Sequence, residues 1–343
     1  MIRPFDWRDV GLVKTLADRG VCLDSETGLT QGNHPLQHAL ISYLMPMAGA
    51  PTFIWRADGN HSAIFGQLRH RPGEEHAWIL YMAPGAQNGA QGPDGWQPLI
   101  ERLAVEAGDR RAQNLIAEVN EKSPEFESLR RAGFAIYARH TLWKLAPERA
   151  PATTPAAEPV ALRPATRADG PAVNTLYSNV VPRLVQQVEP GPQHIERGYV
   201  LQDGQELVAY LDVSRGPQGI WVEPFLHPEA YDLSEPVLLA CLQLLAGRED
   251  KPLYVCVRRY QDWLQEVVAR VGFEALGSQA VMVKRLAVRI SEPVLKPLTV
   301  VEGQVPTPIT SAQVTQYEEP RHTARLLSRV NRYRYYSHAK TNY

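Results

Sequence analysis

The residues best suited to chemistry cluster between positions 75 and 92. Glu75 and His76 are adjacent. An imidazole titrates near neutral pH, and a carboxylate can also accept a proton, so either side chain is a candidate general base. Tyr81 lies just beyond and offers a phenol that could return a proton to a leaving group. Gly85-Ala86-Gln87-Asn88-Gly89-Ala90-Gln91-Gly92 comes next. Small residues there let a backbone approach a ligand closely, and the start of a following helix favours a phosphate. Plainer readings stand beside each: a solvated turn at Glu74–His76, strand packing for Tyr81, and a surface loop for Gly85–Gly92. Further along, Glu223 sits within an apolar run and is another candidate base, or a residue on the outer face of a hairpin. Asn120 reads most simply as a helix cap.

The elements that must hold these groups are visible in the patterning. Ser62–Arg69 and His76–Ala83 read as strands around the turn Arg71-Pro72-Gly73-Glu74. Glu206–Ser214 and Gly219–Phe225 repeat the design around Arg215-Gly216-Pro217-Gln218. Gly and Pro at the turns, with Val, Ile, Tyr and Trp in the strands, predict two hairpins. A helix follows each. Trp96, Leu99, Ile100, Leu103, Ala104 and Ala107 fall at helical spacing, with Asp94 placed to cap them. Leu233–Leu245 is apolar nearly all round, which predicts deep burial.

Strands are predicted at Asn114–Val119 and Pro252–Val257. Each leads into an amphipathic stretch, marked by Phe126 and Leu129 in one case and by Leu264, Val267, Val268 and Val271 in the other. Gly133-Phe134 and Gly272-Phe273 come next, before final strands ending in Trp143-Lys144-Leu145 and Val283-Lys284-Arg285-Leu286. The beginnings match too. Ile2-Arg3-Pro4 precedes Asp9, and Leu162-Arg163-Pro164 precedes Asp169. This is the signature of an internal duplication, although strand–helix–strand order is common to many α/β halves. Ala146–Pro159 is rich in Pro, Ala and Thr and reads as a linker. The expected organisation is 1–146, a linker at 147–159, a second copy at 160–288, and a tail at 289–343.

Bulk properties agree with two soluble domains. The 343 residues exceed one typical domain, and halves of about 145 residues can each bury a core. Hydrophobic residues make up 44% and charged residues 21%, ordinary for a globular protein. A net charge of −1 removes any global electrostatic case for nucleic acid or membrane binding. Cys22, Cys241 and Cys256 are odd in number and lack a CxxC pair, so neither a disulfide framework nor a zinc site is supported. His34, His38, His61, His70 and His140 show no metal-ligand spacing, and Trp7, Trp55, Trp78, Trp96 and Trp143 read as packing residues. With no signal-peptide pattern and no apolar run near the roughly 18 residues of a membrane span, the cytoplasm is the expected compartment.

These landmarks, in this order and seen twice, resemble the GCN5-related N-acetyltransferase (GNAT) superfamily over roughly residues 1–146 and 159–288. The resemblance implies an α/β (α+β) fold class: two tandem GNAT folds, each a mixed sheet flanked by helices and splayed between its fourth and fifth strands. It implies acetyl-CoA as cosubstrate in that cleft. The pantetheine arm would pair with the fourth strand at Met82 and Ala83. The pyrophosphate would meet Gln87, Asn88, Gly89, Ala90, Gln91 and Gly92, which fit Gln-x-x-Ala-x-Gly, one substitution from the family pattern. Glu75 or His76 would act as base and Tyr81 as acid. The tyrosine position common in the family, four residues before the glycine of Gly-Phe, holds Leu129 and Val268 here, and neither can donate a proton. In the second half, Pro228–Ser234 has no glycine and places Glu229 and Asp232 where the pyrophosphate would lie. That half is expected not to bind CoA in the usual way. The implied function is transfer of acetyl to an amine of a small molecule or peptide, with any active site in the first half. The alternative is a non-catalytic GNAT-fold protein that binds a ligand or partner.

The tail has a character of its own. Arg321, Arg325, Arg329, Arg332, Arg334 and Lys340 interleave with Tyr333, Tyr335, Tyr336 and Tyr343, with no Asp or Glu among residues 321–343. Leu326, Leu327 and Val330 suggest a short amphipathic helix. A polyanion or an acidic protein partner would suit this composition. A disordered tail, or one folded back on the protein's own acidic cleft, would carry the same residues.

Overall fold

Each repeat opens on an Arg–Asp clasp that its sequence motif encodes, with Asp9 fully buried in the first. Arg3 grips Asp9 with two hydrogen bonds of 2.6 and 2.7 Å, and Arg163 grips Asp169 with two of 2.8 and 2.7 Å. In both places the Asp also accepts from the backbone amide three residues earlier, starting a helical turn. The bidentate pairing holds Asp169 well below the usual carboxylate range. The paired motifs are therefore the same structural device used twice.

The computed structural model describes residues 1–45, 49–57, 62–86, 92–147, 160–204, 206–245 and 251–286. Most of the linker, Gln87–Gln91 of the Gly/Gln loop and the basic tail lie outside the described residues.

The first repeat contains β1 (Ile2–Pro4), α1 (Val10–Ala17), β2 (Val21–Cys22), α2 (Ser25–Gln31), α3 (Pro35–Leu44), β3 (Thr52–Arg56), β4 (Ala63–Arg69), β5 (His76–Ala83), α4 (Gly92–Asp109), β6 (Asn114–Val119), α5 (Pro124–Arg131) and β7 (Ala135–Leu145). The second contains β8 (Arg163–Pro164), α6 (Gly170–Val180), α7 (Arg183–Gln186), β9 (Tyr199–Asp203), β10 (Glu206–Arg215), β11 (Ile220–Leu226), α8 (Ser234–Leu244), β12 (Leu253–Arg258), α9 (Leu264–Val271) and β13 (Glu274–Arg285). Both predicted hairpins are present, as β4–β5 and β10–β11.

The Gly-Phe pairs are helix stops. Gly133 and Gly272 take φ of 88° and 108°, a left-handed conformation that favours glycine. The Phe134 amide then donates to Leu129 O at 3.1 Å, and the Phe273 amide to Val268 O at 3.2 Å. Both phenyl rings are buried. This is a Schellman-type ending, in which glycine reverses the chain and the next apolar residue packs back on the helix. Leu129 and Val268, noted above for lacking a phenol, are fully buried core residues of these stops.

The strands join in a single sheet of order β1-β3-β4-β5-β6-β13-β7-β12-β11-β10-β9-β8, with β2 off this path against β5. The centre of that order is an exchange. β13, from the end of the second repeat, pairs antiparallel with β6 of the first. β7, from the end of the first, pairs antiparallel with β12 of the second. β7 and β13 pair with each other along their length. The first repeat ends at β7 and the second begins at β8, and the sheet crosses that division. One core beneath α4 and α5 joins Trp96, Leu99, Ile100 and Leu103 to Met282 of β13, and another beside α6 joins Val173 and Leu176 to Ile116 and Val281.

Several local expectations change. The helix expected after Asp94 begins earlier, at Gly92, so Asp94 lies inside α4. Asn120 accepts from the Lys122 amide in a turn, and Ser123 occupies the N-cap position of α5. α8 buries Val237, Leu238, Cys241 and Leu242 but leaves Leu244 45% exposed, so it has an outer face. Trp7 is 64% exposed and is not a packing residue, whereas Trp96 is fully enclosed.

Candidate ligand site

Each repeat opens between two parallel strands, β5 and β6 in the first and β11 and β12 in the second. β5 and β6 pair in parallel only over His76–Trp78 against Asn114–Ile116, and β11 and β12 only over Ile220–Val222 against Leu253–Val255. Past those pairs the strands separate. In β5 a bulge at Leu80 helps, because Gln67 pairs with Tyr81 while Leu68 pairs with Ile79.

The chain fills both openings with its own groups. In the first repeat, β2 lies antiparallel on the free edge of β5, with Val21 against Met82 and Cys22 against Tyr81. The Leu23 amide donates to Leu80 O at 3.1 Å, and the Glu118 amide of β6 donates to Leu23 O at 2.8 Å. The Gly85 amide donates to Arg19 O at 2.7 Å, and the Ala86 amide to the Glu125 carboxylate at 2.9 Å. Gly20 makes the close approach possible: a Cβ there would stand 2.3 Å from the Tyr81 ring. In the second repeat one side chain does the equivalent work. Gln261 accepts from the Leu226 amide at 3.0 Å and donates to Pro224 O at 2.8 Å, copying the amide of a neighbouring strand. Gln261 is 1% exposed.

The residues singled out by sequence are dispersed by this arrangement. The Glu75 side chain is exposed, and its carbonyl accepts from the Gln113 and Asn114 amides. The Tyr81 hydroxyl donates to Ala17 O, tying β5 to the end of α1. Burial pushes that phenol upward. Met82 and Ala83 are fully buried, with the Met82 edge taken by Val21. Gln87–Gln91 lie outside the described residues, and Gly92 is the first residue of α4. His76 lines a polar cavity, as does Glu223 of the second repeat.

That cavity, of about 140 Å³, lies between the two repeats. Its walls come from β4, β5 and β6 on one side and from β10, β11, β12 and the Glu189–Arg197 segment on the other. Seven carboxylates line it against four guanidiniums. Most are paired. Arg69 meets Asp24, and Arg197 meets Asp212 at 2.7 and 2.9 Å. Arg258, 5% exposed at its side chain, gives Nε to Glu223 at 2.8 Å and Nη2 to Glu189 at 2.9 Å. Tyr137 donates to the other Glu189 oxygen. Burial raises Glu223 despite the neighbouring Arg258, and burial lowers His76 despite Glu74.

Some groups are left over. Arg258 Nη1, His76 Nδ1 and Glu74 Oε2 are buried and have no hydrogen-bond partner among the described residues. His76 Nε2 stands 3.5 Å from Glu74 Oε2, too long for a good hydrogen bond. Glu118 accepts from the Ser25 amide at 2.7 Å, and burial pushes its carboxyl up to about 7. Beside it, Gln279 Oε1 accepts from Ser25 Oγ at 2.8 Å and is bonded to His140 Nε2 at 2.9 Å. Burial, and then Arg258, lower His140 to about 3. Gln279, His140 and Arg258 stand at one level across β13, β7 and β12.

Sequence reasoning missed Asp24, Glu118, Arg258 and Tyr137. The usable signal was a charge inside an apolar strand: Glu118 within Asn114–Val119 and Arg258 closing Leu253–Arg258. A charge in such a run is either exposed at an edge or buried against a partner.

No family model matches the chain, and no curated protein does. Solved structures do. A GCN5-related N-acetyltransferase from Sphaerobacter thermophilus aligns with a TM-score of 0.53 at 12% identity, covering 83% of this chain and 95% of that one. A tandem GNAT protein from the clavulanic acid biosynthesis pathway aligns with a TM-score of 0.47 at 14% identity, covering 83% and 98%. At such identities the likeness speaks to fold, and the first alignment carries it. The chain has the GNAT fold. Its mixed sheet, flanked by helices and splayed in both repeats, holds that fold twice in tandem.

Proposed function

We propose that this chain is a ligand-binding protein built on the tandem GNAT fold and does not bind acetyl-CoA in the family's manner. The observation that carries this is the placement of Arg19–Leu23 on the β5 edge, where the pantetheine arm would pair. Gln261 does the same on β11. Releasing either would leave buried backbone groups unsatisfied. The test is calorimetric titration of the full chain with acetyl-CoA, beside a thiol-release assay on a panel of primary amines. No saturable binding and no thiol release are expected. Micromolar acetyl-CoA binding would overturn the proposal.

A second reading, acetyl transfer to an amine in the first repeat, is supported by the fold likeness to the Sphaerobacter thermophilus N-acetyltransferase. Under it, Arg19–Leu23 withdraws from β5, His76 or Glu75 serves as base, Tyr81 serves as acid, and Gln87–Gly92 holds the pyrophosphate.

Three thiols outside any disulfide support a reducing compartment such as the cytoplasm. No helix among the described residues is long and apolar enough to cross a membrane. For Arg321–Tyr343 the cation and tyrosine content supports a polyanion or protein partner, and loss of heparin retention on deleting residues 290–343 is the expected result.

A further inference from the structure

A cavity of about 530 Å³ lies within the second repeat, beside α6. Small-molecule sites span roughly 300–1,000 Å³. Ala172, Thr175, Leu176 and Asn179 recur at helical spacing and form one wall. Leu207 and Val208 of β10, with Leu233 after β11, add apolar lining. The first repeat fills the corresponding space. The Arg3/Asp9 and Arg163/Asp169 clasps align the two opening helices, which puts Leu12 at the position of Ala172 and Arg19 at that of Asn179. Leu12 packs against the core of the first repeat, and the Arg19 carbonyl accepts from the Gly85 amide, past the end of β5, at 2.7 Å. In the second repeat Ala172 is exposed, and the His227 amide, past the end of β11, donates to Val208 O at 2.9 Å instead. The volume that a leucine occupies in one repeat is left open in the other.

The charge on this space is one-sided. Asp203, Glu206 and Glu229 line it, and among the described residues no lysine or arginine does. Asp203 and Glu206 stand directly opposite each other in the β9–β10 ladder, a like-charge pairing that destabilises strands. His227 brings no compensating charge while its Nδ1 accepts from the Glu229 amide at 3.4 Å. The three carboxylates are exposed, whereas Leu176 and Ala230 are buried, so the charge lies at the mouth and the apolar surface beneath it. A ligand complementary to this arrangement has an apolar body that ends in a positive charge. An anion would meet three carboxylates, and a wholly polar cation would leave the apolar wall in water.

We propose that this cavity binds an amphipathic organic cation, its apolar body against Leu176, Leu207 and Val208 and its positive charge at Asp203, Glu206 and Glu229. Charge and apolar contact are enough for such recognition, so a quaternary ammonium suits the site as well as a primary amine does. The proposal rests on the ligand-binding reading above and adds the ligand class and its place. That place shares no residue with the contacts that fill the two strand openings.

The test uses the full chain and four probes by titration calorimetry: (2-phenylethyl)trimethylammonium, its neutral counterpart 2-phenylethanol, the anion 3-phenylpropionate, and tetramethylammonium, a cation without the ring. The first cannot accept an acetyl group, so its binding is separate from any transfer reaction. It is expected to bind about tenfold or more tightly than each of the others. Asp203→Asn with Glu206→Gln removes the opposed charges and should weaken that binding about tenfold. Ala172→Leu restores the residue of the first repeat and should abolish it. All three positions are exposed, so these variants should keep the parent's urea midpoint. Equal binding of 2-phenylethanol or of tetramethylammonium, no saturable binding of the first probe, or its binding unchanged in either variant would each overturn the proposal. Acetyl-CoA is titrated separately, so an empty cavity and an intact CoA site give different results.

Discussion

The Leu23 amide donates to the Leu80 carbonyl at 3.1 Å, and the Leu23 carbonyl accepts from the Glu118 amide at 2.8 Å. One residue thus bridges both lips of the opening between β5 and β6. The same residue leads into Asp24, the N-cap of α2 and the partner of Arg69 in the cavity wall. Filling the cleft and building the cavity are parts of a single chain path.

Gln261 supplies the matching bridge in the second repeat, and its removal should be felt. Gln261→Leu leaves the Leu226 amide and Pro224 carbonyl buried without partners. A loss of about 2–4 kcal/mol is expected in urea unfolding. A loss under about 0.5 kcal/mol would mean that these groups find other partners.

Arg258 should be worth more to the fold than a surface arginine. Arg258→Met strands Glu189 and Glu223 as buried carboxylates, and a loss of about 3–5 kcal/mol is expected. Adding Glu189→Gln and Glu223→Gln to that variant should recover part of the loss. A double-mutant cycle measures the coupling. Additive losses would show that the three side chains do not act as a unit.

Stability should depend on pH through two buried groups of opposite sign. Glu118 is raised from 4.5 to about 7, so the folded state holds the extra proton and stability falls as pH rises through that window. His140 is lowered from 6.5 to about 3, so the unfolded state holds the extra proton and stability rises with pH across that range. The two slopes oppose each other where the windows overlap. Glu118→Gln should therefore make stability climb more steeply from pH 5 to 6.5 than in the parent, and His140→Asn should make it fall. Parallel profiles for all three proteins, read from urea midpoints, would contradict this.

The repeats should not fold apart. A fragment of residues 1–146 lacks β13, the antiparallel neighbour of β6 and β7. It also loses Met282 from the core under α4. It should aggregate or associate rather than give a cooperative monomer. Residues 1–286 should unfold in one transition. A monomeric 1–146 with a sharp melting transition would refute the expectation.

The sequence carried the elements well because the rules that set them are local. Gly-Pro turns placed both hairpins, and Gly133-Phe134 and Gly272-Phe273 placed the helix stops. The Arg3/Asp9 and Arg163/Asp169 motifs marked the repeat. The site was less legible. His76 and Glu223 line the cavity, but their role there depends on Arg258 and Glu118, brought close only by the strand exchange. Nothing in the pattern of Ala135–Leu145 or Glu274–Arg285 says which repeat each strand joins. The occupation of β5 by Val21–Leu23 is likewise a tertiary event, written in a short segment that reads as loop.

The exchange of β7 and β13 has a consequence during synthesis. As the chain leaves the ribosome, β6 appears long before the strand that will flank it, and β7 must wait for β12. The first repeat therefore spends the translation of the second with an open, apolar sheet edge. Both repeats close together, late, when the last described strand arrives. A nascent chain halted before β13 would be a natural client for chaperones, and full-length chains released together could trade strands and emerge as intertwined pairs.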